Sequence, residues 1–242
     1  MAKSNTKIRR RDITAIPMEI VRSFTMQLEG DDHIRYTSEY PEFVNVPGPY
    51  LTESLGVFDS PAEFCLVTAM EFARRYPGHP NSKQRRNGFT NKEILRISKG
   101  EKKIIFKYFN HPEYDNYLSL PKYQKIIKRI AGLIIRPDFT KQPMFLRKSY
   151  EYWFEDDNLS DKPRGGVTIS QFTNISLELA MNNGWVKDDL EYSIMCELEF
   201  CRRNPKDSYA KESQYFKLFS EAEILDITKG RKKLITKNCY EE

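Results

Sequence analysis

The chain is written twice. Asp12-Ile13-Thr14 and Pro17-Met18 recur 126 positions later as Asp138-Phe139-Thr140 and Pro143-Met144. Gly56, Glu63, Glu71-Phe72, Arg74-Arg75 and Pro77 recur 128 positions later as Gly184, Glu191, Glu199-Phe200, Arg202-Arg203 and Pro205. The stretch EILRISKGEKKII, inside Phe89 to Lys107, recurs 130 positions later as EILDITKGRKKLI, inside Phe219 to Lys237. The slowly growing offset means that insertions between the copies are small. A tandem duplication of this kind divides the 242 residues into two units of roughly 110 to 130 residues, each long enough for its own core. The expected domains are 1–135 and 136–242. What both copies keep is expected to be fold, and what they change is expected to be function.

Each repeat opens with period-two alternation: Phe24, Met26 and Leu28 in the first, Tyr150, Tyr152 and Phe154 in the second. That period predicts a half-buried strand. Both strands run into acidic turns, Glu29-Gly30-Asp31-Asp32 and Glu155-Asp156-Asp157, and residues 33–37, 43–46 and 166–169 are candidates for further strands. A long helix follows. Ser60-Pro61-Ala62-Glu63 and Asp188-Asp189-Leu190-Glu191 carry the capping-box pattern, and Pro61 suits the first helical position. Ala62, Leu66, Ala69 and Ala73, matched by Leu190, Ile194, Glu197 and Cys201, form an apolar stripe that Glu197 interrupts at its edge. Glu71 with Arg75, and Glu199 with Arg203, stand at i,i+4 and read as surface ion pairs worth on the order of 0.3 kcal/mol. Pro121 opens a helix between the repeats, with Ile126, Ile127, Ile130, Leu133 and Ile134 inward and Lys122, Lys125, Lys128 and Arg129 mostly outward. Strands and helices in separate runs, repeated, predict an α+β fold with a small sheet and about three helices per repeat.

The next segment has the outline of a helix-turn-helix. Thr90 to Glu93 and Ser220 to Glu223 are capping boxes opening two-turn helices, which Ser98-Lys99-Gly100 and Thr228-Lys229-Gly230 end. A second helix carrying Ile104-Ile105 is expected after the turn, although KKIIFKYF also fits a strand. As a recognition helix it would present Lys99, Lys102, Lys103 and Lys107 to a duplex. Over residues 89–109 and 219–238 the chain resembles in outline the tandem winged-helix proteins that bind DNA as regulators or replication initiators. The resemblance implies groove recognition by the second helix. An apolar residue usually stands where Lys99 does.

Charge separates the copies. Residues 1–135 carry 22 Lys+Arg against 15 Asp+Glu, a net of +7, while residues 136–242 carry 17 against 19, a net of −2. The loop from Asn81 to Gly88 holds Lys83, Arg85 and Arg86, and an N-terminal arm holds Lys3, Lys7, Arg9, Arg10 and Arg11. Such clusters suit phosphates. The candidate nucleic-acid contacts are therefore Arg85, Arg86, Lys99, Lys102, Lys103, Lys107, Arg9 and Arg10, with duplex DNA the expected partner and the second repeat docking, self-associating or binding more weakly. Tyr108, Phe109, Tyr114, Tyr117 and Tyr123 crowd the region after the lysines, which keeps base stacking as a secondary idea.

The alternative is an interaction or scaffold protein built from two pseudo-symmetric domains. A third class, a metal-dependent nuclease, would use the acidic turns to hold Mg²⁺. No P-loop, dinucleotide fingerprint, GxSxG or HExxH is present, and the expectation is a non-enzyme without cofactor. The four cysteines form no CxxC pair, and His33, His79 and His111 share no ligand spacing, so no metal site is expected. No apolar run approaches the ~20 residues of a membrane span, and the opening MAKSNTKIRRRD lacks the apolar core of a signal peptide. A cytoplasmic location is the expectation.

Overall fold

The computed structural model describes residues 12–44, 46, 57–109, 119–132 and 135–239. The first repeat runs β1 (Met18–Leu28), β2 (Tyr36–Phe43), α1 (Pro61–Arg75), α2 (Ser82–Arg85), α3 (Asn91–Ser98) and β3 (Ile104–Tyr108). After α4 (Pro121–Ala131) the second repeat runs β4 (Met144–Phe154), β5 (Gly165–Phe172), α5 (Leu177–Asn182), α6 (Asp189–Arg203), α7 (Ser208–Glu212), α8 (Glu221–Thr228) and β6 (Leu234–Asn238). Helices and antiparallel strands in two small sheets make this an α+β fold. The long strand–strand–helix series and the capped short helix recur in the same order in both repeats.

The strand expected at residues 24–28 begins earlier, at Met18, and buries Phe24, Met26 and Leu28 on alternate positions. Full burial of a side chain such as Met26 contributes about 2 kcal/mol. Helix α1 starts where Ser60 Oγ accepts from the backbone N–H of Glu63. The Glu63 carboxylate takes the N–H of Asp59 rather than that of Ser60, at 2.7 Å, and Glu191 likewise takes the N–H of Lys187 at 2.6 Å. The long helices thus open on a box displaced by one residue. At α3 and α8 the reciprocal box is complete, through Thr90 with Glu93 and Ser220 with Glu223.

Residues 104–108 form a strand, so the second helix of the expected helix-turn-helix is absent from the first repeat, and Leu234–Asn238 is a strand in the second. Gly100, at φ +72°, closes the end of α3, where the Gly100 N–H reaches the Ile97 carbonyl. The residues that follow in the first repeat, Ile104 to Tyr108, are rich in β-branched and aromatic types, which suit a pleated surface better than a helix. An edge to pair with is available, and that decides the matter.

The sheets are ordered β2-β1-β6 and β3-β4-β5. Strand β6 pairs antiparallel with β1, setting Phe24 opposite Asn238 and Leu28 opposite Leu234. Strand β3 pairs antiparallel with β4, setting Ile104 opposite Phe154 and Tyr108 opposite Tyr150. Each repeat therefore gives its last strand to the long strand of the other. The compact units accordingly cross the repeat boundary. One comprises residues 1–22, 39–108 and 150–167, the other residues 23–38, 109–149 and 168–242. The core of the first unit is built on Phe58, Leu66, Val67, Met70, Phe89, Ile94, Ile97, Tyr152 and Phe154. That of the second is built on Met26, Leu28, Phe139, Phe172, Ile175, Ile194, Met195, Leu198 and Ile224. Helix α4, expected between the repeats, buries Ile130 in the second core with Ile126 against it, while Leu133 and Ile134 lie outside the described residues.

Candidate functional site

The acidic turns are engaged within each unit. Arg164 donates to both oxygens of Asp157 at 2.8 Å, to Glu93 Oε1 at 3.0 Å and to the Gly88 carbonyl at 3.1 Å. In the second unit Arg35 makes the corresponding set with Asp31, Glu223 and the Leu218 carbonyl. The capping glutamate of each short helix is thereby tied to a turn from the other repeat. Glu155 Oε2 accepts the Lys103 N–H, and Glu29 Oε2 accepts the Lys233 N–H. Among the described residues there is no group of three or more His, Cys, Asp or Glu side chains able to hold a metal ion.

The Glu-Phe-x-Arg-Arg motif is a buried network instead of the expected surface pair. Glu71 and Glu199 are fully buried. Glu71 accepts from Arg74 and Arg75, and the Arg75 guanidinium continues to the Ile13 and Ile16 carbonyls. Glu199 does the same with Arg202 and Arg203, and the Arg203 guanidinium continues to the Phe139 and Gln142 carbonyls. Ser98 adds a hydrogen bond to Glu71 at 2.8 Å. Burial raises the Glu71 carboxyl, but the bonds from Arg74, Arg75 and Ser98 outweigh it and leave the group below its ordinary range. An i,i+4 spacing says who can meet along one helix, not whether another segment covers the meeting point.

The expected nucleic-acid contacts separate into three groups. Lys99, Lys102 and Lys103 share the α3–β3 turn and Lys107 lies on β3. Lys99 caps α3 and is exposed. Lys102 Nζ lies 2.6 Å from Asp156 Oδ1, with Arg96 3.2 Å from the other oxygen, and the Lys102 bond holds Asp156 below the ordinary carboxylate range. Lys103 Nζ lies 3.3 Å from Asp59. Lys107 is exposed, and its Cα stands opposite that of Glu151. Arg85 ends α2 and Arg86 caps it instead. Arg85 donates to the Glu39 carbonyl at 2.7 Å and lies 6.0 Å from the Phe72 ring centroid, so its partners are not those of the lysine turn. Arg9 and Arg10 lie outside the described residues.

The point of attachment of the arm is described. The Ile13 N–H donates to the Ser98 carbonyl at 2.9 Å, Ile13 is fully buried, and Arg75 grips its carbonyl. Hydrogen bonds from Thr14 hold Asp12 below its ordinary range, and nearby Lys99 adds to the effect. Asp12 and Ile13 therefore lie beside the lysine turn.

One feature the sequence reading did not assemble is an aromatic ladder in the first unit. Phe106 and Tyr108 of β3 and Tyr150 and Tyr152 of β4 share one sheet face by register. The Phe106 centroid lies 6.0 Å from that of Tyr108 at 18°, 5.7 Å from Tyr150 and 6.3 Å from Tyr152. The cluster of tyrosines after the lysines was a partial signal, but the β4 partners come from the other repeat. Tyr123 is buried, and Tyr114 and Tyr117 lie outside the described residues.

Glu197, the break in the apolar stripe, lines a cavity of about 220 Å³ in the second unit with Ser170, Gln171 and Tyr209. Ser213 Oγ donates to it at 2.5 Å, and burial pushes its carboxyl up. No helix among the described residues is long and apolar enough to cross a membrane. Compared with protein-family models, with curated proteins and with solved structures, the chain finds no match in any of the three.

Proposed function

We propose that this is a non-enzymatic nucleic-acid-binding protein whose first repeat supplies the phosphate contacts. The observation that carries the reading is the basic turn between α3 and β3, with Lys99, Lys102 and Lys103. Ile13, which follows the basic sequence of residues 1–11 along the chain, donates its N–H to the Ser98 carbonyl next to that turn. Lys102 and Lys103 are held by solvent-accessible ion pairs, which are weak and which a phosphate can exchange. With a strand in place of the recognition helix, contact falls to the turn and the sheet edge.

The test is binding of fluorescent single strands, duplex DNA and duplex RNA across a salt series, comparing wild type with Lys102→Glu/Lys103→Glu. Affinity should fall steeply as salt rises. The double variant should bind at least tenfold more weakly and shallow the salt slope by about two. Absence of binding at low salt would overturn the reading.

A second reading, docking of a protein through the second unit, has its own observation. The large exposed apolar side chains of that unit are mainly aliphatic, Ile34, Leu120, Ile135, Met181 and Ile235, whereas those of the first are Tyr76, Tyr108 and Leu159. Exposed aliphatic surface fits a protein partner, and a light-scattering mass with and without Ile235→Lys checks self-association.

A further inference from the structure

We propose that the aromatic face of β3 and β4 is a stacking platform for the bases of an unpaired strand, with Tyr108 as its outermost ring. The inference deepens the nucleic-acid reading above and rests on it.

Along the ladder, burial grades from the closed end to an open one. Phe154 and Tyr152 are buried, Phe106 and Tyr150 are half-buried, and Tyr108 is 54% exposed. Tyr108 and Tyr150 centroids lie 5.8 Å apart, so the open end is two rings wide. The Tyr108 hydroxyl is 3.1 Å from Ser60 Oγ, which ties the tip of the ring while the residue stays largely open to solvent. A ring already held in place loses little side-chain entropy when a base settles on it.

The second unit supplies an internal control. It builds the corresponding sheet with Thr236 and Asn238 where the first has Phe106 and Tyr108. Folding of this sheet therefore does not demand two aromatics, and an exposed ring is not explained by the core. Charge is placed to match. Asp59, paired with Lys103, precedes Ser60, the residue that bonds Tyr108, so an ammonium and the exposed ring flank the same two residues. A strand with a base on Tyr108 would set a phosphate within reach of Lys103. Bases inside a duplex are stacked on one another and cannot use such a ring, whereas every unpaired base presents a π-face.

The experiment measures fluorescence anisotropy of a labelled twelve-nucleotide oligothymidylate and of a twelve-base-pair duplex. The proteins are wild type, Tyr108→Ala, Tyr108→Trp and Lys102→Glu/Lys103→Glu, with circular dichroism melting of each as a control on folding. Tyr108→Ala should weaken single-strand binding about tenfold and leave duplex binding within about twofold, and Tyr108→Trp should retain it. Unchanged single-strand affinity in a folded Tyr108→Ala protein, with loss in the lysine variant, overturns the platform and leaves the phosphate reading standing. No binding of either probe by wild type at low salt overturns both.

Discussion

The two units share a framework and differ in the chemistry laid on it. Both hold a buried glutamate between two arginines, and both fasten a turn to a capping glutamate through one arginine. Yet Arg96 of one stands where Asp226 stands in the other, Ala69 where Glu197 stands, and Tyr108 where Asn238 stands. Shared positions are those whose loss would leave a charge or a helix end unsatisfied in the interior. Divergent positions lie on faces where a fold tolerates either choice.

The largest expected effect tests the shared part. Glu71→Ala and Glu199→Ala each leave two arginines without their buried partner, and each should destabilise its protein by about 3–5 kcal/mol in denaturant melts. Glu71→Ala should cost more, because Glu71 also takes a hydrogen bond from α3, through Ser98. In the second unit Thr228 spends its hydroxyl on the Ile224 carbonyl. Equal small losses would remove the network from the common framework. Because Glu71 sits below its unfolded pKa, its contribution is complete above the ordinary carboxylate range and fades as pH falls through the folded value. Glu71→Gln should therefore flatten the acid limb of stability against pH.

A middle-sized effect tests volume exchange between the units. The Tyr152 hydroxyl lies across Gly165, where an added Cβ would meet it at 2.2 Å, whereas the second unit has Met26 and Tyr36 at these positions. Gly165→Ala should cost about 1–3 kcal/mol by overpacking. Adding Tyr152→Met, which copies the second unit, should recover most of that loss. A double variant no more stable than Gly165→Ala would mean that the units do not trade volume at this contact.

The smallest effect concerns Glu197. Its folded pKa is raised, chiefly by burial, so its contribution is complete below the unfolded value and is lost as pH rises through the folded one. Glu197→Gln should weaken the dependence of melting temperature on pH over that window, while Ala69→Gln in the first unit leaves the dependence unchanged.

Much of the fold was legible along the chain. The strands at 24–28 and 150–154, the caps at Ser60, Thr90, Asp188 and Ser220, and the helix ends before Pro77 and Pro205 rest on signals within a few residues of one another. The lysine turn was legible as a cluster, but Arg85 was not separable from it, because its ties to Glu39 and Phe72 depend on how the chain returns. The same limit made Glu71 look exposed and hid the ladder.

Period, caps and charge are local properties, and they carried most element types and the uneven charge of the two halves, but not the strands at 104–108 and 234–238, which were expected as helices. Which strand each final strand would join was a different matter. Strands β3 and β6 are both five-residue segments that follow the same Lys-Gly turn, and β1 and β4 carry similar alternation, so pairing within a repeat and pairing across repeats satisfy the same pattern. Only the tertiary structure chose the crossed pairing, and with it the turns that tie Glu93 and Glu223 and the aromatic face that β3 and β4 make together. The physical reason is range: a residue's period is set by its neighbours, while a sheet partner is set by whichever edge the closed core presents.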